Sequence, residues 1–246
     1  MIVAERPLPE AGQIFEKYVD VVHRSETMVA GGRVHRAAGL MIESLGPDAA
    51  VGEMCAIQMG DGRAVECEVV GFRERTTLLM PYGAVEGIAP GFAVSGTGEV
   101  LSVTVGPDLL GRAVSGIGRI LGDGLVSGAP LRRSIVGSPI RVLRDPPPAL
   151  SRPLIGEPLS LGIRALDGFL TAGRGQRIGI FSGSGVGKST LLGMIARNTN
   201  ADVVVVALIG ERGREVNEFI ERDLGPEGRK RAVLVVATAD EPPLMR

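Results

Sequence analysis

The sequence has few cysteines and few histidines, two of each in 246 residues. Cys55 and Cys67 lie among alternating apolar residues, without the close spacing of a zinc motif and without a histidine cluster nearby. Disulfide-rich folds need many cysteines and structural zinc sites need closely spaced ligands, so both are excluded. We expect two reduced thiols that pack in a core.

Long apolar runs are also missing. The first residues, MIVAERPLPEAGQIF, carry acidic side chains early and contain no apolar core of signal-peptide length. No later stretch reaches the roughly 18 uncharged apolar residues that a membrane-spanning helix requires. The sequence therefore predicts a cytoplasmic protein.

An excess of charge of either sign is absent as well. The chain has 27 basic and 28 acidic residues, for a formal net charge of −1. This overall balance predicts neither nucleic acid nor a membrane surface as a partner. A hydrophobic content of 44% excludes a disordered chain. Because single domains usually have roughly 100–200 residues, the length predicts two domains.

Residues 11–24 have the periodicity of an amphipathic helix. Ile14, Phe15, Tyr18 and Val22 fall on one side, and charged residues fall largely on the other. Such a helix either packs on its own protein or docks onto another chain, and both interpretations stay open here. We assign residues 1–25 to an N-terminal helix and tail.

Short alternating segments begin near Thr27 and continue to Ser95. Gly, Pro and Asp separate them about every 8–12 residues, which is typical of a small antiparallel β-barrel. We assign this domain to residues 26–95. The pair Asp61-Gly62 predicts a hairpin, because glycine adopts the positive φ of such a turn at little cost.

The chain changes character after residue 95. A glycine-rich stretch over residues 106–121 precedes a proline-rich segment, residues 144–153, that we interpret as a stiff connector. Strands and helices then alternate, and runs such as VVVVAL predict a mostly parallel sheet covered by helices. We assign residues 96–246 to this α/β domain. The predicted strands are 177–181, 203–208 and 232–237, and the predicted helices are 162–171, 188–198 and 214–224.

The segment SGSGVGKST lies between a predicted strand and a predicted helix, which is the context of a phosphate-binding loop. Its glycines let successive N–H groups point into one concavity, Lys188 supplies charge for the β- and γ-phosphates, and Ser189 offers a hydroxyl to Mg²⁺. Ser182 replaces the usual first glycine, which is acceptable where φ is negative. The alternative is a glycine-rich turn with an incidental Gly-Lys-Ser. The predicted binding residues are Ser182, Gly183, Ser184, Gly185, Val186, Gly187, Lys188, Ser189 and Thr190.

Gly210, Glu211 and Arg212 follow the predicted strand over residues 203–208. Ligands of open α/β sheets bind at the carboxyl ends of the strands. A carboxylate there would polarise water for attack on a γ-phosphate. Position alone leaves an equal alternative, in which Glu211 caps the following helix.

The run GIFSGSGVGKSTLLGMIARNTNADVVVVALIGERGREVNEFIE resembles flagellar protein-export ATPases and their type III secretion relatives, a branch of the family of rotary ATP synthase catalytic subunits. LLGRAVSGIGRIL, PLSLGIRALDGFL, GQRIGIF and TADEPPLMR resemble the same family, so the likeness covers nearly all of residues 27–246. It implies a β-barrel followed by a RecA-like P-loop ATPase domain, and ATP hydrolysis coupled to the delivery of export substrates.

On matching positions the resemblance assigns ATP phosphate binding to residues 183–190 and the catalytic carboxylate to Glu211. We add Lys188 as a second catalytic residue, Arg212 as a cofactor-binding residue and Ser189 as the contact to Mg²⁺. The implied partners are further copies in a homo-hexamer, a coiled-coil regulator at the N-terminal helix, export substrates with their chaperones, and an export gate. No nucleic acid is expected, and the protein would lie in the cytoplasm, peripheral to the inner-membrane export apparatus.

The family resemblance also implies elements beyond Arg246: an acidic strand ending in a Mg²⁺-binding aspartate, an arginine finger and an adenine-stacking aromatic residue. We therefore expect an N-terminal fragment that binds nucleotide weakly and hydrolyses it hardly at all. We also expect an unpaired edge on the strand over residues 232–237. The open alternatives are a non-hydrolysing assembly module, a rotary synthase subunit and a hexameric RNA translocase.

Overall fold

The computed structural model describes residues 31–122, 135–183 and 185–246 of the chain. The predicted helix over residues 11–24 lies outside these ranges. The chain divides into two compact units. The first ends at Pro81 and also includes Val85–Glu99, and the second comprises Tyr82–Ala84 together with Val100–Arg246.

Six antiparallel strands of the first unit close into a barrel, which confirms the predicted architecture. Each described barrel strand has a hydrogen-bonded neighbour on both sides, so the barrel presents no strand edge. In order around the barrel the strands are β1 (Gly31–Ala38), β2 (Met41–Leu45), β5 (Thr76–Pro81), β4 (Ala64–Arg73), β3 (Glu53–Gln58) and β6 (Ala93–Val100).

The barrel core follows the alternation of its strands. Ile42, Ile57 and Leu79 are 0% exposed. Cys55 and Cys67 are buried directly opposite one another on β3 and β4, so their predicted place in the core is confirmed. Burial raises the pKa of Cys67 to about 12 and that of Cys55 to about 11, so both stay protonated thiols at neutral pH.

The predicted hairpin at Asp61-Gly62 joins β3 to β4. Gly62 has a φ of 84°, and its N–H donates to the carbonyl oxygen of Met59 at 3.1 Å. The Asp61 carboxylate accepts from the Arg63 backbone N–H at 3.0 Å and from its Nε at 2.7 Å. Gly62 therefore adopts the positive φ that would strain another residue, and the Asp61 side chain stabilises the turn through its hydrogen bonds.

Glu43 is a charged side chain held within the barrel wall. It is 7% exposed, and its Oε1 accepts from Arg36 at 2.7 Å and from Arg73 at 3.4 Å. The hydrogen bond from Arg36, with the positive charges of both arginines, lowers the pKa of Glu43 from its ordinary 4.5 against the opposing effect of burial.

The second unit contains a four-stranded sheet in the order β11-β12-β8-β9 and a two-stranded sheet of β7 and β10. β11, β12 and β8 run parallel and β9 is antiparallel, which confirms a mostly parallel sheet. The strands are β7 (Ser102–Val105), β8 (Arg112–Ser115), β9 (Ile120–Leu121), β10 (Ser138–Arg141), β11 (Val204–Ile209) and β12 (Ala232–Ala237).

The position of β12 corrects one expectation. We expected an unpaired edge on this strand, but β12 lies between β11 and β8 and pairs with both. β8 comes from the glycine-rich stretch, for which no strand was predicted. It is only 4 residues long, too short for its alternation to show in the sequence.

A second expectation, the strand over residues 177–181, is also wrong. This segment has no strand paired to it among the described residues, and it runs as unpaired chain. Ile178 is 53% exposed and Phe181 is 95% exposed. An apolar run becomes a strand only where a neighbour supplies hydrogen bonds, and the described chain places none there.

Helices pack on one side of the four-stranded sheet, where Ala196 and Phe219 share a buried cluster with Leu234. On the alternate side of β11, Val205 is 67% exposed, so this strand is not covered on both faces. The α-helix predicted over residues 188–198 forms with those bounds. The helix predicted over residues 214–224 starts as α3 (Gly213–Glu218) and continues as a π-helix. Val216 and Phe219 are buried and Ile220 is partly buried, as expected. The proline-rich connector, residues 144–153, has no α-helix and no strand and contains one 3₁₀ turn, Ala149–Ser151. The helices are 3₁₀ Pro107–Leu109, 3₁₀ Ala149–Ser151, α1 (Arg164–Phe169), α2 (Lys188–Asn198), α3 (Gly213–Glu218), π Phe219–Leu224 and α4 (Gly225–Lys230).

Candidate nucleotide-binding site

The glycine loop enters α2 through left-handed backbone. Gly185 has a φ of 76° and Gly187, the N-cap of α2, has a φ of 97°. A Cβ added at either position would meet no atom within 4 Å. Glycine is therefore required there by conformation and not by crowding, and the open space above the loop remains available to a ligand.

The other loop residues differ in their placement. Among described non-glycine residues only Glu74 has a positive φ, so Ser182 occupies the first loop position without that strain. The Ser182 hydroxyl donates to the carbonyl oxygen of Gly183 at 3.2 Å. Val186 is 68% exposed, and Ser184 lies outside the described residues.

The first turn of α2 is suited to an anion. Lys188, Ser189 and Thr190 are exposed, the turn holds no acidic residue, and no described side chain caps the helix. The first N–H groups of a helix lack intrahelical partners and carry the positive end of its dipole. A phosphate group is the type of ligand that such a terminus binds.

One cleft of about 410 Å³ brings the loop and Glu211 together. Ser182, Val186 and Arg212 are not among the residues that line it. Arg212 is exposed and is the N-cap of α3, and its guanidinium donates to Glu215 at 3.4 Å. The lining residues are Gly183, Gly185, Gly187, Lys188, Ser189, Thr190, Glu211, Arg214, Glu215, Glu218, Arg222 and Asp223.

Two parallel strand ends fix the position of Glu211. β11 ends two residues earlier, and Gly210 turns the chain with a φ of 74° while its N–H donates to the carbonyl oxygen of Ala237 at 2.7 Å. The backbone oxygen of Glu211 accepts from Ala239 at 3.0 Å. The N-cap of α3 is Arg212, without a side-chain cap, so the geometry gives Glu211 no capping role.

Most of the charged side chains that line the cleft are already in ion pairs. Arg214 pairs with Glu218 at 3.7 Å, and Arg222 pairs with Asp223 at 3.3 Å. Glu215 is paired with Arg212. Within the described ranges, Lys188 and Glu211 have no ion partner within 4.0 Å, which leaves one cation and one carboxylate available in the same cleft.

The polar wall of the cleft, which α3 and the π-helix supply, was not predicted from the sequence. Its members on these elements are Arg214, Glu215, Glu218, Arg222 and Asp223. Four of them could have been found, because they occupy the polar side of a helix whose apolar side was identified: Arg214, Glu215, Glu218 and Arg222. Asp223 is only 4% exposed, so the polar side of the helix gave no signal for it. Which way that polar side faces follows only from the packing of the helix on the sheet.

Two models of one protein family match the chain. The ATP synthase alpha/beta family, nucleotide-binding domain, matches residues 162–246, and the ATP synthase alpha/beta family, beta-barrel domain, matches residues 34–98. Together they span more than half of the sequence. The chain belongs to the ATP synthase alpha/beta family. The cleft lies within the part that matches the nucleotide-binding domain of the ATP synthase alpha/beta family.

Curated relatives within this family are similar along most of the chain. It is 48% identical to the flagellum-specific ATP synthase of Bacillus subtilis, over 94% of the chain and 52% of that protein. It is 50% identical to the flagellum-specific ATP synthase of Treponema pallidum, over 94% and 50%. With the type 3 secretion system ATPase of Sinorhizobium fredii it shares 46% identity, over 88% and 47%. The chain spans about half the length of the curated relatives it matches.

Solved structures of the family share its fold. The assembled ATPase EscN from the enteropathogenic E. coli type III secretion system matches with a TM-score of 0.75 and 40% identity, over 87% of this chain and 50% of that one. EscN in complex with its central stalk EscO matches with a TM-score of 0.76 and 41% identity, over the same shares. No helix in the described part of the chain has both the length and the apolar character needed to cross a membrane.

Proposed function

We propose that the protein is an ATPase that drives the export of flagellar proteins through a type III secretion apparatus. The observation that carries this proposal is the cleft that joins the glycine loop and Lys188 to Glu211. The relatives named flagellum-specific ATP synthase and type 3 secretion system ATPase support the coupling to export.

ATP would bind with its phosphates at the start of α2. The N–H groups of the loop and of the first helical turn would hold phosphate oxygens, and Lys188 would neutralise their charge. The proposed binding residues remain those of residues 182–190 together with Arg212. This role is supported by the absence of an ion partner for Lys188 in the part of the chain that the structure describes, because the ammonium group need not leave a carboxylate to meet the phosphates.

The proposed metal is Mg²⁺, held by the Ser189 hydroxyl together with the nucleotide. The described residues include no group of three or more His, Cys, Asp or Glu side chains arranged to hold a metal ion. Mg²⁺ usually takes one or two protein ligands plus substrate phosphates, so an exposed hydroxyl beside the loop fits it. When bound, the ion would neutralise charge on the phosphate oxygens.

Glu211 would orient the attacking water and accept its proton. Its half-buried place at a strand end, without an ion partner among the described residues, leaves the carboxylate free for a water molecule. Lys188 would stabilise the charge that builds up on the transferred phosphoryl group.

The proposed setting is a homo-hexamer in the cytoplasm, peripheral to the inner-membrane export apparatus. Its partners would include export substrates, their chaperones and the export gate. The EscN structures support assembly, since one is of the assembled ATPase and the other includes a central stalk protein.

The proposed regulator is a coiled-coil protein that docks on residues 11–24. Deleting residues 1–25 should abolish its capture in a pull-down assay while the circular dichroism spectrum stays that of a folded chain. Capture by the deleted form at the level of the wild type would contradict this part of the proposal.

Steady-state phosphate release from the protein at its full genomic length tests the proposed activity. Glu211→Gln should lower turnover by about 10²–10⁴-fold, the usual contribution of a general base. Glu218→Gln is the matched control, since Glu218 lines the same cleft but is paired with Arg214. Equal turnover by Glu211→Gln and the wild type, or an equal loss in both variants, would contradict the role of Glu211.

A further inference from the structure

α2 carries the glycine loop at its N-terminus and is held at its opposite end by Arg231, the residue before β12. The Nη2 group of Arg231 donates to the backbone carbonyl oxygens of Ala196 at 3.1 Å, Arg197 at 2.7 Å and Thr199 at 2.9 Å. Its Nη1 group donates to the carbonyl oxygen of Ala201 at 2.8 Å. One guanidinium therefore contacts two carbonyl groups of the last helical turn and two of the residues that follow it.

Two of these carbonyl groups, those of Ala196 and Arg197, belong to the last turn of α2 and need such a partner. The last four carbonyls of an α-helix have no intrahelical hydrogen bond and carry the negative end of its dipole. The basic residue in the last turn of α2 is Arg197, but its guanidinium donates instead to the backbone oxygen of Asp223. Arg231 supplies the charge and the planar set of donors from outside the helix.

Arg231 is itself fixed to the sheet. Its carbonyl oxygen accepts from the N–H of Val204, at the start of β11, at 3.0 Å, and the next residue begins β12. The same end of α2 is tied a second time, since the Thr199 hydroxyl donates to the carbonyl oxygen of Ser160 at 2.9 Å. The far end of the helix is thus anchored to two neighbouring strands and one loop.

The middle of α2 is packed closely against the π-helix, so the helix cannot shift there. A Cβ on Gly193 would lie 2.6 Å from the Cβ and the carbonyl oxygen of Asp223, so the helix and the π-helix are in close contact. Because an α-helix is stiff along its axis, a shift at its C-terminus is carried to its first turn. The position of that turn in the cleft therefore depends on the anchor at the other end.

We propose that Arg231 is a positioning residue for the nucleotide site, which sets the place of Lys188 and Ser189 by anchoring the C-terminal end of α2. The consequence for nucleotide rests on the proposed function. The consequence for the first turn of α2 does not, and it can be measured on the nucleotide-free chain.

The test compares Arg231→Lys with Arg229→Lys. Lysine keeps the charge at position 231 but lacks the fork that reaches several carbonyls. Arg229 is the control, because this nearby arginine also donates to a backbone oxygen, that of Ile220 at 2.9 Å, and pairs with Glu221. Circular dichroism and urea unfolding of both variants give their folded fractions.

Two quantities are measured on each variant. The first is hydrogen exchange of the Leu191 amide, which donates to the carbonyl oxygen of Gly187 at 2.9 Å in the first turn. The second is the dissociation constant of a fluorescent ADP analogue with Mg²⁺. Arg231→Lys should speed exchange at Leu191 and raise the constant about tenfold, equivalent to about 1.4 kcal/mol. Arg229→Lys should change neither.

Equal effects of the two variants, or no effect of Arg231→Lys on either quantity, would overturn the proposal. A chain with Arg231→Lys that fails to fold would overturn it too, since Arg231 would then hold the fold and not the site. If the wild type bound no ADP analogue, the proposed function would fail, and exchange at Leu191 would still decide the positioning role.

Discussion

The barrel and the nucleotide-binding unit differ in how far the apolar residues of their strands are buried. Each barrel strand has two neighbours, and Ile42 and Leu79 are fully buried. The sheet of the second unit is open, with β11 at one end of the described strand order, and Val205 is 67% exposed. The barrel derives its stability from a closed core, whereas the nucleotide unit holds its loop and its glutamate beside an open sheet. Ligand-binding segments are typically drawn from such less stable parts of a fold.

Truncating the barrel core should have the largest effect and should show whether the two units are stabilised separately. Leu79→Ala removes a fully buried side chain and should cost about 2–5 kcal/mol of unfolding free energy. Leu45→Ala, at a leucine that is 52% exposed, should cost less than about 1 kcal/mol. Urea unfolding measures the free-energy change in each variant. Hydrogen exchange then shows in which unit the protection is lost. If Leu79→Ala lowered protection from hydrogen exchange equally in both units, the two units would not be stabilised separately.

The glycine loop offers a smaller effect confined to the second unit. Gly187→Ala places a side chain on left-handed backbone and should cost about 1–2 kcal/mol, because that conformation is strained for L-residues. Gly156→Ala is the control, since position 156 lacks a positive φ, an added Cβ meets no atom within 4 Å, and the residue does not line the cleft. The rise in melting temperature on adding ADP should shrink for Gly187→Ala. Identical behaviour of the two variants would show that the loop backbone is not held as described.

Acid should destabilise the barrel through Glu43, an effect smaller than those of Leu79→Ala and Gly187→Ala. The folded pKa of Glu43 lies below its ordinary 4.5, so its contribution is present above that value and is lost as pH falls through the folded pKa. Thermal melting of the barrel over this range should therefore show a loss that is reduced in Glu43→Gln. Arg36→Gln should reduce it as well, because the Arg36 hydrogen bond is the main cause of the shift. An unchanged acid dependence in both variants would remove Glu43 from this account.

Local features of the sequence predicted much of the fold. The glycine loop, α2 and the turn at Gly62 depend on contiguous residues, so their patterns were sufficient. The role of the site residues stays a prediction, although the structure brings the loop and Glu211 into one cleft.

The pairing of strands that are distant in the chain could not be predicted from the sequence. β8 pairs with β12 although the two are far apart in the chain. The segment over residues 177–181 has an apolar run but no paired neighbour within the described ranges. The hydrogen bonds of Arg231 to the end of α2 could not be predicted either, because they join residues that are distant in the sequence. The residues around Arg231 do not indicate which groups its side chain contacts.

The most direct test of the account is isothermal titration of ATP with Mg²⁺ into the wild type, Lys188→Ala and Lys230→Ala. Lys188 lines the cleft without an ion partner within the described ranges, whereas Lys230 is an exposed lysine paired with Glu227 at 2.7 Å. Losing a charge-assisted contact of about 1.5–3 kcal/mol should weaken binding by about 10–100-fold in Lys188→Ala, while Lys230→Ala binds like the wild type. Unchanged ATP affinity in Lys188→Ala would contradict the assignment of this loop as the nucleotide site.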